Sequence, residues 1–139
     1  MNVFATLIFF TWASAYVPTR IGALYISEIA GVPTDRNLRV INGTLFADPG
    51  FSKFQYIMGR IIWTSSVGDQ YLKVENSGAL SWSEAPHTGF FLKEEGDSGF
   101  EIRLTLNGDE QFEICGDGSV AYKSGCLGAQ SIRINFEDI

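Results

Sequence analysis

The sequence predicts an all-β fold, and two observations predict it. Apolar and polar residues alternate with a period of two in several short stretches, most clearly over residues 100–106 and 132–136, as in half-buried antiparallel strands. Turn signals separate such stretches, for example Asn42-Gly43, Asn76-Ser77-Gly78 and Gly116-Asp117-Gly118. No window shows a convincing helical period, so we expect about ten to twelve short strands in a compact β-sandwich or β-trefoil-like barrel.

The N-terminal residues predict export. The segment from Val3 to Trp12 is almost wholly apolar, and Ala13-Ser14-Ala15 follows it in the small-x-small pattern of a signal-peptide cleavage site. Such a run is too short to cross a bilayer, which needs roughly 20 apolar residues. We therefore expect residues 1–15 to be a cleaved signal peptide and residues 16–139 to be a single secreted domain that begins at Tyr16.

Composition limits the partners that this protein can have. The formal net charge is −6 and the calculated pI is about 4.6, with the Lys and Arg residues scattered singly. Such a surface repels phosphate backbones and anionic lipid. Beyond the N-terminal segment there is no long apolar run, and the C-terminal residues are not a hydrophobic tail, so we expect neither a membrane span nor a GPI anchor. We expect a monomer with no nucleic-acid partner and no membrane partner.

The cysteine and histidine content favours a structural disulfide over a metal site. Cys115 and Cys126 are the only cysteines, and two thiols so close in sequence usually pair in the oxidising secretory pathway. We expect this disulfide to join neighbouring strands. His87 is the only histidine, and it lies in a turn-like stretch between Ala85 and Gly89. A tetrahedral zinc site or a Ser-His-Asp triad would lack partners for it, so we expect no metal and no cofactor.

The acidic residues do not indicate an enzyme. Glycoside hydrolysis needs two carboxylates at a defined separation, but most Asp and Glu residues here lie in turns or alternate with apolar residues. Asp109, Glu110 and Asp117 lack the spacing of an EF-hand calcium loop and are better explained as turn residues. We expect no catalytic residue.

Two features point to carbohydrate. Asn42-Gly43-Thr44 is a sequon for N-glycosylation, and the hairpin turn predicted at the same residues would expose Asn42. Trp63, Tyr71 and Trp82 are candidate stacking platforms for a neutral polysaccharide, the alternative for each being packing in the core or across strands. For Trp82 we favour the core, because alternation places it on the same face as Leu80.

The second half of the chain resembles known fungal proteins. Residues 69–87 contain a strand, a turn at Ser77-Gly78-Ala79-Leu80, an aromatic residue and an Ala-Pro-His step, and they resemble the middle of fungal cell-wall proteins of the phialide (PhiA) type. Downstream, Phe112-Glu113-Ile114-Cys115, then Val120-Ala121-Tyr122, then Cys126 and a last apolar strand resemble both that family and the C-terminal domain of PIR-type mannoproteins. The Gln-containing repeats that attach PIR proteins to glucan are missing.

The resemblance implies a secreted or wall-associated fungal protein without enzymatic activity, and this is our first hypothesis. A second hypothesis is a carbohydrate-binding module that acts alone on a neutral wall polysaccharide. A third is a secreted effector or toxin directed at another organism. Any ligand should be neutral, because an anionic one would meet like charge on the acidic surface.

Overall fold

A computed structural model describes residues 19–95 and 101–139, and the expected signal peptide with its cleavage site lies outside these ranges. Within them the chain forms twelve antiparallel strands and no helix, which confirms the all-β prediction. No helix in these ranges is therefore long and apolar enough to span a membrane.

The twelve strands form three consecutive sets of four, which we call units A, B and C. Unit A contains β1 Arg20–Ile29, β2 Val32–Ile41, β3 Thr44–Ala47 and β4 Phe54–Ile57. Unit B contains β5 Arg60–Ser65, β6 Gly68–Val74, β7 Leu80–Ser83 and β8 Phe90–Glu95. Unit C contains β9 Glu101–Leu106, β10 Phe112–Ile114, β11 Val120–Ala121 and β12 Gln130–Asp138.

Six of these strands close into a barrel. β1 pairs with both β12 and β4, β4 pairs with β5, and β9 pairs with both β8 and β12. The remaining neighbours, β5 and β8, are joined by a hydrogen bond from the Phe90 N–H to the Gly59 carbonyl at 3.1 Å. Closing the sheet in this way removes free edges that could pair with other chains. Of the two predicted architectures, this ring of pairings is that of the β-trefoil-like barrel.

The other six strands form three hairpins at one end of the barrel, and we call them the cap. They are β2–β3, β6–β7 and β10–β11. β1 pairs with β4 through its first residues and with β2 through its last, whereas β12 pairs with β10 through its first residues and with β9 through its last. Because β1 and β12 are antiparallel, both hairpins lie at the same end.

The three hairpins pair with one another in a cycle. The contacts between them are Thr44 with Ser81, Ala79 with Ala121, and Ser119 with Phe46. In each contact, the residue directly after the turn glycine of one unit meets the third residue after the turn glycine of the next unit. The cap therefore has an approximate threefold axis, and units A, B and C are arranged around it.

Turn glycines hold adjacent units together at close range. The Tyr122 N–H donates to the Gly78 carbonyl at 2.7 Å, and the Ala47 N–H donates to the Gly118 carbonyl at 3.0 Å. A Cβ atom at Gly78 would lie 2.4 Å from the Tyr122 carbonyl oxygen, and the φ of this residue is +91°. Only glycine fits this position without moving the backbone of unit C.

The core is one cluster to which all three units contribute. Corresponding positions of the three hairpins supply its cap end: Leu38, Leu72 and Phe112, and Leu45, Leu80 and Val120, each at most 1% exposed. Burying a side chain of this kind fully stabilises the fold by about 1.5–3 kcal/mol.

Strand β9 departs from the predicted alternation, because Arg103 and Thr105 are buried on the outer wall of the barrel. The Arg103 Nε donates to Asn135 Oδ1 at 2.8 Å, and its Nη1 lies 3.6 Å from the Glu110 carboxylate. Asn135 is itself fully buried and donates to the Tyr25 hydroxyl at 3.2 Å. Polar residues that alternation assigns to solvent are therefore covered, with their hydrogen bonds made inside the protein.

Candidate functional site

The three aromatic candidates do not form one surface. The Trp82 ring stacks on Phe54 with centroids 5.7 Å apart, and the Trp63 ring lies 5.9 Å from Trp82 in a tilted arrangement. Both tryptophans are half-buried and pack against the core. Trp82 pairs with the buried Leu72, so Tyr71 faces the opposite side of the sheet. Stacking of a sugar on any of these rings stays a prediction.

The sequon asparagine lies where the sequence places it. Asn42 and Gly43 form the two-residue turn between β2 and β3, with φ values of 50° and 75° that match a tight hairpin turn. Asn42 is exposed. The predicted hairpin is confirmed, and attachment of a glycan stays a prediction.

The predicted disulfide between Cys115 and Cys126 is present, with Cα atoms 5.7 Å apart. Its position differs from the expectation in one respect. Cys115 directly follows β10, but Cys126 lies in the connection from β11 to β12 and not on a strand. The disulfide therefore fastens that connection to the end of β10.

A groove of about 360 Å³ opens on the outer face of the cap, and we call it the cap groove. Its lining includes the disulfide and one residue from each unit around the threefold axis: Thr44, Ala79 and Ser119. It also includes five hydroxyl side chains, those of Thr44, Ser77, Ser81, Ser119 and Ser124. The groove is open because two of the three corresponding residues near the axis are small, Ser81 in unit B and Ala121 in unit C. In unit A the same position holds the large residue Phe46.

No residue that lines the cap groove is charged. Three other depressions on the described surface each contain charged residues, for example Glu28 and Arg133 in one, Asp109 and Lys123 in another, and Arg36 in the third. On a protein with a net charge of −6, the cap groove thus differs from these three depressions in its uncharged lining, and it is larger than each of them.

Carboxylates beside the groove orient three of its hydroxyls. The donated bonds run from Ser81 Oγ to Glu75 at 2.6 Å, from Ser119 Oγ to Asp117 at 2.6 Å, and from Ser124 Oγ to Glu113 at 3.2 Å. Each serine proton is committed to a carboxylate, which leaves the lone pairs of the serine oxygen as hydrogen-bond acceptors, although one of those on Ser124 already accepts from the Cys126 N–H at 3.1 Å. The groove can therefore receive hydrogen bonds from the hydroxyl groups of a ligand.

Two of these carboxylates are held in the ionised form. The hydrogen bond from Ser81, with that of Lys73, lowers the pKa of Glu75. The hydroxyl and then the backbone N–H of Ser119 lower the pKa of Asp117 in the same way. The direction of the serine protons is therefore maintained at any pH above the usual carboxyl range.

Two of the acidic turn residues make hydrogen bonds within or next to their own turns. Asp109 accepts hydrogen bonds from the Gln111 N–H and the Tyr122 hydroxyl, at 3.0 and 2.8 Å. Asp117 accepts from the backbone of Ser119 within its own turn. Among residues 19–95 and 101–139, no three His, Cys, Asp or Glu side chains are grouped so that they could hold a metal ion. His87 lies in the irregular connection between β7 and β8.

Sequence reasoning missed the residues that line the cap groove. A signal for them was present, because Thr44, Ala79 and Ser119 each follow the glycine of a turn, and each precedes a buried aliphatic residue. That repeated pattern of turn glycine, small residue and aliphatic residue marks corresponding positions of the three units.

No protein-family model matches the chain, and neither a curated protein nor a solved structure matches it significantly.

Proposed function

We propose that this is a secreted, non-catalytic protein of the fungal cell wall or the surrounding medium, and that it binds a neutral polysaccharide in the cap groove. The observation that carries the proposal is the neutral lining with serine oxygens oriented as acceptors. A polysaccharide presents hydroxyl groups that can donate to these oxygens. An anionic ligand would need cationic groups or free donors, and the lining supplies no cation.

Two further observations support secretion to the wall. A disulfide persists in oxidising compartments, and Cys115 and Cys126 form one. The apolar N-terminal segment with its Ala13-Ser14-Ala15 step is the pattern of an export signal. The resemblance of residues 69–136 to wall proteins of the phialide and PIR types is the reason for naming the fungal wall.

The proposed binding is weak at a single site. Each neutral hydrogen bond made in exchange for water contributes about 0.5–1.5 kcal/mol. No aromatic residue lines the groove, so three or four such bonds account for a Kd in the millimolar range. Retention on a polymer with many equivalent sites is then the natural way for such a protein to act.

The test is sedimentation with insoluble glucan and with insoluble chitin, using the secreted protein and two variants. Ser81→Phe places in unit B the ring that unit A has at Phe46, so the backbone should tolerate it while the groove is filled. Ser83→Phe is the matched control, because it adds the same ring on the same face of β7 without touching the groove lining. We expect Ser81→Phe to reduce the bound fraction at least tenfold and Ser83→Phe to leave it unchanged.

Two results would contradict the proposal. Equal loss of binding in both variants would show that the cap groove is not the site. Binding that weakens strongly as the salt concentration rises would show recognition by charge, which the neutral lining does not provide.

A further inference from the structure

The predicted glycosylation site lies beside the cap groove. Asn42 is exposed in the turn between β2 and β3, and Thr44, the hydroxyl residue of the same sequon, lines the groove. Two residues of extended chain span only about 6–7 Å. A glycan attached to Asn42 would therefore start within one sugar ring or so of the groove wall.

The threefold relation of the units defines the position of Asn42 more closely. When the hairpin sequences are aligned on their turn glycines, Gly43, Gly78 and Gly118, Asn42 corresponds to Ser77 in unit B and to Asp117 in unit C. All three glycines have a positive φ, at 75°, 91° and 90°. Ser77 lines the cap groove. Asn42 and Asp117 do not line the groove themselves, so Asn42 lies in the turn next to the groove wall, two residues before Thr44.

The chemistry of the groove suits the glycan as well as it suits a polysaccharide. The serine oxygens that accept hydrogen bonds do not distinguish the hydroxyls of a free polymer from those of an attached oligosaccharide. An attached ligand on a short tether acts at an effective concentration in the millimolar range or above. At that effective concentration, the attached glycan can occupy the groove even though the groove binds it through only a few neutral hydrogen bonds.

We propose that an N-glycan on Asn42 covers the mouth of the cap groove, so that glycosylation at this residue controls access to it. The groove is closed to external polysaccharide while the glycan is present and open once the glycan is removed. The occlusion of the groove follows from position alone. Its effect on polysaccharide binding rests on the proposed function.

The experiment compares four forms of the full secreted protein from a glycosylating host, after peptide mapping has measured occupancy at Asn42. They are the glycosylated protein, the same protein after enzymatic removal of the whole N-glycan, Asn42→Asp, and Asn42→Asp combined with Val67→Asn and Asp69→Thr. Removal by the enzyme leaves Asp at position 42, so Asn42→Asp matches it, and Asp tolerates the positive φ of this turn. The last form moves the sequon to the β5–β6 turn, which contributes nothing to the groove lining.

Two measurements are made on each form. One is the bound fraction on insoluble glucan. The other is the rate at which a bulky soluble phosphine reduces the Cys115–Cys126 disulfide, which lines the groove and so reports access to it without any polysaccharide. We expect both to rise at least fivefold in the enzymatically treated protein and in Asn42→Asp. The form with the relocated sequon should behave like Asn42→Asp.

Each outcome decides one of the two proposals. An Asn42 that carries no glycan in secreted protein overturns the inference, and so do equal binding and equal reduction rates with and without the glycan. A reduction rate that rises on deglycosylation in a protein that never binds polysaccharide supports occlusion and overturns the proposed function. Slow reduction in the relocated form would show that any glycan has the effect, which also overturns the inference.

Discussion

The two faces of the cap hairpins differ in the size of their side chains. On the inner face, corresponding positions hold Leu45, Leu80 and Val120, which close the end of the core. On the outer face, the preceding residues are Thr44, Ala79 and Ser119, which leave the cap groove open. Because neighbouring residues of a strand face opposite sides, the side chains that fill the core and those that border the groove alternate along the same hairpins, although Leu80 and Val120 also contribute to the groove lining. A substitution on the outer face can therefore change the groove while the core stays intact.

The largest effect is expected on the inner face. Leu80→Ala should lower the free energy of unfolding by about 3–4 kcal/mol, because it leaves a cavity at a position that is 1% exposed. Ala79→Ser, one residue away on the outer face, should change it by less than about 0.5 kcal/mol. Urea denaturation of both variants measures the difference. Similar losses in the two would mean that the faces are not independent.

The aromatic cluster below β7 should also behave as part of the core. Trp82→Ala should cost about 3 kcal/mol, because the ring packs on Phe54 and Trp63. Trp82→Phe should cost much less, since it keeps a ring and removes an indole N–H that is buried without a hydrogen-bond partner in the described part of the chain. Thermal melts measure both, and an unchanged melting temperature in Trp82→Ala would assign this ring to the surface.

The disulfide contributes both to stability and to the groove, because it holds the β11–β12 connection in place and also lines the groove. Replacing both Cys115 and Cys126 by Ser should cost about 2.5–3 kcal/mol, the value expected for a cross-link that closes so short a loop. The same variant should bind insoluble glucan less well even at temperatures where it is folded. Full binding by the folded variant would show that the connection carrying Cys126 is held in place without the cross-link.

The smallest expected effect is a dependence of stability on pH that comes from the exposed carboxylates of Glu75 and Asp117 beside the groove. The folded-state pKa values of Glu75 and Asp117 are lowered, so their contribution is present above the unfolded values of about 4.3 and 3.9 and is lost as the pH falls below them. We expect a small decline in melting temperature below about pH 4.5. Ser81→Ala should reduce it by returning the pKa of Glu75 toward its ordinary value, which carboxyl NMR titration measures directly. An unchanged Glu75 titration in that variant would show that the Ser81 hydroxyl does not hydrogen-bond to this carboxylate.

The elements of this fold were predictable where local rules decide them. Turn chemistry placed the hairpin at Asn42-Gly43, and alternation identified the strand that ends in Phe136. The disulfide followed from the presence of only two cysteines. Each of these features depends on residues that are close together in the sequence.

Features that depend on distant residues were not predictable in the same way. Alternation treats Arg103 as a solvent-facing residue, because nothing in its neighbourhood shows that Asn135 and Glu110 will cover it. The choice between sandwich and barrel depends on β1 pairing with both β4 and β12. The cap groove needs three hairpins to meet, so no single stretch of sequence contains it.

The pairing of β1 with β12 has a consequence for the order of events during folding. Gly22 lies opposite Asp138 in this ladder, so β1 cannot pair with β12 until residues 130–138 have been synthesised. Contacts of such long sequence separation slow folding and leave the edge of an early strand exposed in the meantime. Units A and B therefore cannot close the barrel before unit C has been made, because β12 and β9 supply the missing part of the ring.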